Sequence, residues 1–306
     1  MTTHENAQNA TIFVSIASFR DQFLPFTIRA CLDQAAHPDR LRFGICWQAG
    51  DDEALDDAIL GDPRMRIRRY PYAASLGYGW SRAEVQKLYA GEDYHLLIDS
   101  HTWLAPGWDV KLIHQLEGKP TEKALLSTSS PPFTFSESGE VMIPWRDTDL
   151  DGVPLMTCER LRPIGWIDIQ MSGKRKSAPH ETTALICCNF VFTRGRWIRE
   201  VPEDPGMINA GHEAALSVRS WTHGWDTYLP DEILVWHLDY SNYPGGQRRK
   251  VWEAKSEGWQ HEHTDRMIQR LRALFYGGDP TILGRYRLGS ERSLEAWAKL
   301  AELDLS

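Results

Sequence analysis

Apolar runs and amphipathic stretches alternate along the first part of the chain. Thr11–Ala17 and Leu41–Trp47 are short, apolar and rich in β-branched or aromatic residues, as is typical of buried strands. Asp21–Ala36 instead carries apolar residues at helical spacing. The pattern predicts further strands and helices at Met65–Tyr70, Ser75–Ala90, Tyr94–Ile98, Trp108–Leu116 and Ala124–Ser127. Strands alternating with helices at this spacing predict an α/β fold with a mostly parallel central sheet and right-handed crossovers.

The pattern changes after this region. Residues 131–183 are rich in Pro, Ser, Thr and Gly, and we predict long loops and a hairpin over one end of the sheet. Regular structure is predicted to return as a strand, a helix and a strand at Ala184–Thr193, Gly211–His223 and Ile233–His237. The final residues are charged and helical in pattern, at Arg248–Phe275 and Ser290–Leu303.

These changes predict two parts of the chain. Residues 1–245 form the α/β domain, with the loop-rich region 131–183 as an acceptor or lid region. Residues 246–306 form a C-terminal helical extension, which offers a surface for homo-oligomer formation or for an acceptor.

Composition narrows the function classes. The 306 residues are 42% hydrophobic and 25% charged, as in ordinary globular proteins. No run approaches the roughly 18 apolar residues of a membrane-spanning helix. The first residues lack a basic n-region and a long apolar stretch, so we expect no secretion signal and a cytoplasmic protein. Five cysteines without a CxxC motif predict neither a disulfide framework nor a zinc site, and a net charge of −8 argues against nucleic-acid binding.

The sharpest chemical feature is the tripeptide Asp99-Ser100-His101, directly after the buried strand Tyr94–Ile98. Ligands of open α/β sheets bind beyond the carboxyl ends of the strands. Strand alternation points the side chains of Asp99 and His101 the same way. A carboxylate favours Mg²⁺ or Mn²⁺, and the imidazole shifts the choice towards Mn²⁺. The alternative is that Asp99 caps the following segment and His101 is a polar surface residue.

Two later features join this candidate site. Glu213 lies in the first turn of a predicted helix, where an acid is electrostatically favoured in any case. His237 ends an apolar strand, where a structural histidine is the alternative. Asp99, Glu213 and His237 each stand at an element end, so together they indicate one metal-containing site better than any does alone.

A diphosphate would need further partners. Arg20 follows the first strand and could pair with a phosphate through its planar guanidinium. The glycines in Gly77-Tyr78-Gly79 allow close backbone approach at a helix start, which favours anions. One or two tryptophans could form a sugar-stacking platform, the candidates being Trp103, Trp108, Trp145, Trp166 and Trp225.

The stretches IFVSIASFRD, LLIDSHTWLAPGWD and AGHEAALSVRSWTHGWD, followed by VWH, carry a resemblance across about residues 11–240. They resemble the GlcNAc-transferase family of GT-A glycosyltransferases, which includes the Skp1 hydroxyproline GlcNAc-transferases and many bacterial members. The glutamate helix followed by a strand-end histidine is more remotely similar to the polypeptide GalNAc-transferases. The resemblance implies a GT-A fold, Rossmann-like in its nucleotide-binding part, a UDP-sugar donor and a divalent metal.

The resemblance also implies residue roles. Asp99 would face the ribose or the metal, His101 would ligate the metal and His237 would complete the coordination. Glu213 would contact the donor sugar or the acceptor hydroxyl, so Glu213 and Asp99 are the candidate catalytic residues. The residues implied at the donor are Ser15, Ala17, Arg20, Gln48 near the uracil, Arg82 near the diphosphate or sugar, and Ser100.

The resulting hypothesis is a Mn²⁺- or Mg²⁺-dependent hexosyltransferase that moves GlcNAc from UDP-GlcNAc to a hydroxyl with retention. Retention requires no dedicated base, whereas an inverting enzyme would make Glu213 the general base. The acceptor hydroxyl could belong to a protein, a peptide, a glycan or a small molecule. The alternatives from other classes are a non-catalytic nucleotide- or carbohydrate-binding protein and a metal-dependent hydrolase using Asp99, His101 and His237.

Overall fold

The computed structural model describes residues 10–143, 153–161, 167–175, 180, 182–208, 211–240 and 249–304. Its strands are β1 Ile12–Phe19, β2 Leu41–Ala49, β3 Met65–Pro71, β4 Tyr94–Asp99, β5 Thr102–Leu104, β6 Ala124–Ser127, β7 Pro132–Phe135, β8 Val141–Met142, β9 Val153–Leu161, β10 Ile167–Arg175, β11 Thr182–Thr183, β12 Phe190–Arg194, β13 Asp226–Tyr228 and β14 Val235–Leu238. Its α-helices are α1 Leu24–Gln34, α2 Asp57–Leu60, α3 Tyr78–Gln86, α4 Trp108–Glu117, α5 Trp197–Glu200, α6 His212–Thr222, α7 Glu257–Phe275 and α8 Leu294–Leu300. Among the described residues, none of these helices has both the length and the apolar character needed to cross a bilayer.

Within the described part of the chain, eight strands form a mixed sheet in the order β11-β13-β6-β12-β4-β1-β2-β3. The half formed by β4, β1, β2 and β3 is parallel, whereas β12 runs antiparallel to both β4 and β6. A second, four-stranded sheet has the order β5-β14-β7-β8. β9 and β10 pair antiparallel as a separate two-stranded sheet. The predicted α/β architecture is therefore confirmed.

Both faces of the central sheet are buried. Along β1, Ile12, Val14 and Ile16 pack in one core with residues of α1 and α4, while Phe13 packs on the opposite side with Val85 of α3. Burial on both faces explains why β1 is a nearly continuous apolar run rather than an alternating one.

A third core joins the C-terminal helices to α6. Leu271 of α7 and Trp297 of α8 are buried against Ala214 and Val218. The contact reaches the start of α6, since a Cβ on Gly211 would lie 2.8 Å from the Leu271 Cδ1 atom. The helices of the predicted extension thus share a hydrophobic core with α6.

One predicted strand is much shorter in the structure. The apolar run Ala184–Thr193 gives a strand only from Phe190 onwards. The preceding backbone N–H groups donate to side chains instead of to a neighbouring strand, with partners Ser217 Oγ for Ile186, Ser127 Oγ for Cys187 and Glu213 Oε1 for Cys188. Tertiary hydrogen bonds therefore overrode the local strand pattern.

Candidate active site

The two sheets meet where β4 ends. β4 terminates at Asp99, the chain turns through Ser100 and His101, and β5 begins at Thr102 in the second sheet. There β5 pairs antiparallel with β14, with Thr102 opposite His237. This pairing brings His237 beside His101 although 136 residues separate them.

Asp99, His101 and His237 form one cluster. One candidate ligand atom from each lies within 4.8 Å of the others. The two imidazole Nε2 atoms are 2.8 Å apart, and His237 Nε2 lies 3.2 Å from Asp99 Oδ2. Asp99 and His101 are buried, and the His237 side chain is partly exposed. The structure thus brings together the three residues predicted as metal ligands.

Asp21, which the sequence analysis did not single out, supports this cluster. Its Oδ2 atom accepts from His101 Nδ1 at 2.6 Å and from the Ser100 hydroxyl at 2.6 Å. Its Oδ1 atom accepts from the Tyr240 hydroxyl at 2.9 Å. A proton on Nδ1 leaves the His101 Nε2 lone pair directed at His237, a tautomer that we assign from this network.

Burial and hydrogen bonding set the charges at the cluster. Burial raises the pKa of Asp99, but hydrogen bonding from His237 and the charge of Arg82 outweigh it and hold that pKa well below its usual range. Burial is the main cause that lowers the pKa of His101. The cluster therefore offers an ionised carboxylate and a neutral imidazole, the protonation states that metal ligands require.

These residues fit a divalent cation. His101 Nε2, His237 Nε2 and Asp99 Oδ2 converge on one space, where a proton on His237 Nε2 can be shared with the other two atoms. A cation that replaced this proton could accept a lone pair from each of the three atoms. The carboxylate behind His101 matches the usual environment of a metal-bound histidine, in which the second nitrogen donates to a carboxylate. A mixed N/O donor set is compatible with Mn²⁺.

The other oxygen of Asp99 is held from α3. Asp99 Oδ1 accepts from the Tyr78 hydroxyl at 2.9 Å and from Arg82 Nη2 at 3.2 Å. Arg82 Nη2 also donates to the Cys188 carbonyl at 2.6 Å, while its Nε and Nη1 atoms have no hydrogen-bond partner among the described residues. Tyr78 and Arg82 thereby fix the carboxylate so that Oδ2 faces the histidines.

Glu213 is tied to the same network through the backbone of Cys188. The Cys188 N–H donates to Glu213 Oε1 at 2.8 Å, and Glu213 lines the cavity described below. Its neighbour His212 is buried, with Nε2 2.5 Å from Glu203 Oε2 and Nδ1 3.5 Å from Cys188 Sγ. Local sequence gave no signal for the Glu203–His212 pair, because the two residues are nine positions apart and belong to no common periodic pattern.

A cavity of about 600 Å³ opens beside the cluster. Asp99, Ser100 and His101 line it together with Glu213, Ala17 and Gln48. Gln48 Nε2 donates to the Ser18 carbonyl at 3.0 Å, and its buried Oε1 atom has no partner among the described residues.

Arg20 also lines the cavity, but its guanidinium already forms ion pairs with two carboxylates. Arg20 Nη2 donates to both oxygens of Asp52, at 2.8 and 2.7 Å, and Nε donates to Glu53 at 3.1 Å. The Arg20 backbone, directly after β1, adopts a φ of 47°, in the left-handed region that residues other than glycine rarely occupy. A phosphate contact by Arg20 stays a prediction that would require these ion pairs to rearrange.

Ser15 lies inside β1 between Gly44 of β2 and Leu97 of β4, and it is not one of the residues that line the cavity. The glycine-containing turn also differs from expectation. The first backbone N–H groups of α3 donate to carbonyls, Tyr78 N to Ile208 O at 3.0 Å and Gly79 N to Met207 O at 2.7 Å. Gly79 is needed because a Cβ there would lie 2.2 Å from the Asp204 carbonyl oxygen. The turn serves chain packing, so these N–H groups are not free for a phosphate.

Of the tryptophans suggested for a sugar-stacking platform, the three that the structure describes do not line the cavity. Trp108 and Trp225 are core residues, and Trp103 packs against Trp236. Trp145 and Trp166 lie outside the described residues. Instead Trp252, in the segment before α7, lines the cavity. Trp252 stands in a charged stretch and belongs to no periodic apolar pattern, so the sequence gave no reason to select it.

Comparisons with known proteins agree with this architecture. The family model "Glycosyltransferase (GlcNAc)" matches residues 11–60 and 54–306. A search of curated protein sequences finds no match. The fold is similar to that of GalNAc-T7, crystallised with UDP, GalNAc and Mn²⁺, with a TM-score of 0.63 and 13% identity over 95% of this chain. This chain spans 57% of that GalNAc-T7 chain.

A second solved structure, S. aureus TarS 1-349 in complex with UDP-GlcNAc, is similar with a TM-score of 0.51 and 10% identity. The match covers 95% of this chain and 70% of the TarS chain. At these identities the two likenesses show the fold, which is the GT-A fold of glycosyltransferases. The family match extends over most of the sequence. The chain belongs to the GlcNAc glycosyltransferase family.

Proposed function

We propose that this protein is a Mn²⁺-dependent glycosyltransferase that transfers N-acetylglucosamine from UDP-GlcNAc to a hydroxyl acceptor with retention. The observation that carries the proposal is the Asp99, His101 and His237 cluster beside a cavity of about 600 Å³. The family description and the UDP-GlcNAc bound to TarS favour N-acetylglucosamine as the sugar, and the Mn²⁺ and UDP bound to GalNAc-T7 favour this metal and nucleotide.

Asp99, His101 and His237 would hold the cation. When bound, it would neutralise the negative charge that develops on the diphosphate as the sugar leaves. The chain's own contribution is preorganisation, because Asp21 fixes His101 while Tyr78 and Arg82 fix Asp99. Preorganised charges stabilise a transition state without reorganising during the reaction.

The nucleotide would occupy the side of the cavity formed by Ala17 and Gln48. The unpartnered Gln48 Oε1 supports this assignment, since a buried acceptor is costly unless a ligand donates to it. Uracil offers such a donor at N3–H. Ser100, whose hydroxyl already donates to Asp21, would contribute through its backbone at the ribose side.

The sugar would lie towards Glu213 and Arg82. One Glu213 oxygen is held by the Cys188 N–H, which suits a carboxylate that orients a sugar hydroxyl. In a retaining reaction the departing phosphate can take the acceptor proton, so Glu213 would act in sugar orientation and transition-state stabilisation. An inverted product would instead assign Glu213 the role of general base.

The direct test is UDP release from a panel of UDP-sugars with and without Mn²⁺. We expect release from UDP-GlcNAc only with the metal, and its loss in Asp99→Asn and His237→Ala. Product NMR should show an α-linkage. UDP binding without release or transfer would support a binding protein, whereas UDP-independent hydrolysis would support the hydrolase alternative.

A further inference from the structure

The cavity has a rim that none of the roles above uses. Residues 249–255, here called the rim segment, lead into α7, and four of them line the cavity: Arg249, Lys250, Val251 and Trp252. Trp252 is 45% exposed, whereas Trp108, Trp197, Trp225 and Trp297 are fully buried. An indole left in water beside a substrate cavity is unusual for so large an apolar side chain.

The rim segment is held in place. Gln260 Nε2 of α7 donates to the Trp252 carbonyl at 2.8 Å. The Lys250 N–H donates to Glu253 Oε2 at 3.1 Å, and Lys255 Nζ reaches across to the Ala73 carbonyl at 2.6 Å. These hydrogen bonds hold the backbone of the rim segment, so the exposed Trp252 indole projects from a fixed turn.

From this placement we infer that Trp252 forms an acceptor subsite in which its indole stacks on a sugar ring, so that the acceptor is a carbohydrate. The inference rests on the proposed glycosyltransferase function. The electron-rich face of an indole attracts the C–H face of a pyranose, as it attracts other electropositive groups. Arg249 and Lys250 add N–H donors for sugar hydroxyls, and Lys250 Nζ lies 5.5 Å from the Trp252 ring centroid.

The form of the rim segment favours a carbohydrate over a peptide. Val251–Ala254 is a 3₁₀ turn, so this stretch presents no strand edge on which an extended peptide could pair its backbone. An aromatic face flanked by a few polar side chains is instead a common way to bind and orient a small polar ring. A peptide acceptor is therefore the competing outcome of the test.

The experiment measures UDP release by the full chain with Mn²⁺, UDP-GlcNAc and two acceptor panels. One panel holds oligosaccharides, and the other holds peptides with serine, threonine or hydroxyproline. We expect oligosaccharides to stimulate release, and Trp252→Ala to raise the acceptor KM about tenfold, far more than the donor KM. Trp252→Phe should restore most of the acceptor affinity because a ring is retained. Tyr276→Ala removes an aromatic residue that is 38% exposed and does not line the cavity, so it should behave like the wild type.

Stimulation by peptides alone, or a Trp252→Ala effect confined to the donor KM, would overturn the inference. A glycan array probed with the wild type and Trp252→Ala, in UDP and Mn²⁺, provides a readout independent of turnover. Glycan binding that depends on Trp252 supports the subsite even if no UDP-sugar is turned over, in which case only the proposed reaction fails. If the protein neither binds glycans nor is stimulated by oligosaccharides, the subsite is overturned, even where UDP-GlcNAc is hydrolysed.

Discussion

His101 Nδ1 lies 2.6 Å from Asp21 Oδ2, and this contact decides which imidazole nitrogen faces the candidate cation site. Burial raises the pKa of Asp21, but hydrogen bonds led by that from His101 outweigh it and keep the carboxyl below its usual pKa. An ionised Asp21 therefore holds the His101 proton on Nδ1 and leaves the Nε2 lone pair for a metal.

Asp21→Asn should consequently weaken Mn²⁺ binding about 10- to 100-fold, because an amide can donate to Nδ1 and favour the wrong tautomer. Calorimetric titration of Mn²⁺ in the presence of UDP measures the change. Asp33→Asn, at an exposed position of α1, is the control. Unchanged Mn²⁺ affinity in a folded Asp21→Asn protein would contradict the assigned role.

Tyr78→Phe tests the second support of the cluster. The variant loses the hydroxyl that donates to Asp99 Oδ1 at 2.9 Å. A hydrogen bond to a charged group contributes about 1.5–3 kcal/mol, so kcat/KM should fall about tenfold or more. Tyr70→Phe is a matched control, since Tyr70 donates to the Glu84 carboxylate at 2.7 Å but does not line the cavity. Equal losses in both variants would indicate a general effect on stability.

Gln48→Leu tests the nucleotide side of the cavity. The buried Oε1 atom lacks a partner among the described residues, so a donor supplied by the base should contribute strongly to binding. We expect the Kd for UDP to rise about tenfold. Gln115→Leu, a change at another buried glutamine on α4, should leave the Kd unchanged. Wild-type affinity in Gln48→Leu would place the base elsewhere.

His95 predicts a pH dependence of stability. It is stacked on Phe13 and Trp197, and burial lowers its pKa to about 3 from 6.5. The unfolded chain therefore binds a proton below pH 6.5 that the folded chain rejects, so stability is full above pH 6.5 and falls as the pH falls. Between pH 7.5 and pH 5 this residue should remove about 2 kcal/mol.

His95→Phe should remove that loss, because its ring cannot titrate. Urea unfolding of both proteins at the two pH values measures the difference, with the wild type losing about 2 kcal/mol more than the variant. The comparison within each protein cancels any constant change in packing. An equal loss in both would show that His95 is protonated or solvated in the folded state.

Trp297→Ala tests how the C-terminal helices are joined to the rest. The Trp297 indole is buried and donates to the Ala184 carbonyl at 2.9 Å. Its removal should cost about 3–5 kcal/mol. Because this core is shared with α6, calorimetry should show one transition at a lower temperature. Two transitions, with only the first one shifted, would instead support residues 246–306 as an independent extension.

Local pattern was sufficient for many of the elements and for much of the chemistry. The apolar run of β4 and the polar Asp99 and His101 after it are adjacent in sequence, so strand alternation alone predicts that they act together. The predicted strand Leu41–Trp47 corresponds to β2, and the helix around Glu213 to α6. Each of these elements forms because it buries an apolar face, and the spacing of apolar residues along that face can be recognised from a short stretch of sequence.

Tertiary structure decided which distant groups meet. His237 reaches His101 only because β14 pairs with β5, and Asp21 reaches it because β1 and β4 are parallel neighbours that end side by side. Other long-range contacts kept the predicted strand from forming before Phe190 and paired the Arg20 guanidinium with Asp52. Hydrogen bonds between residues far apart in the chain produce no periodic pattern in the sequence. The sequence therefore predicted the candidate metal ligands but not the residues that hold them, such as Asp21 and Tyr78.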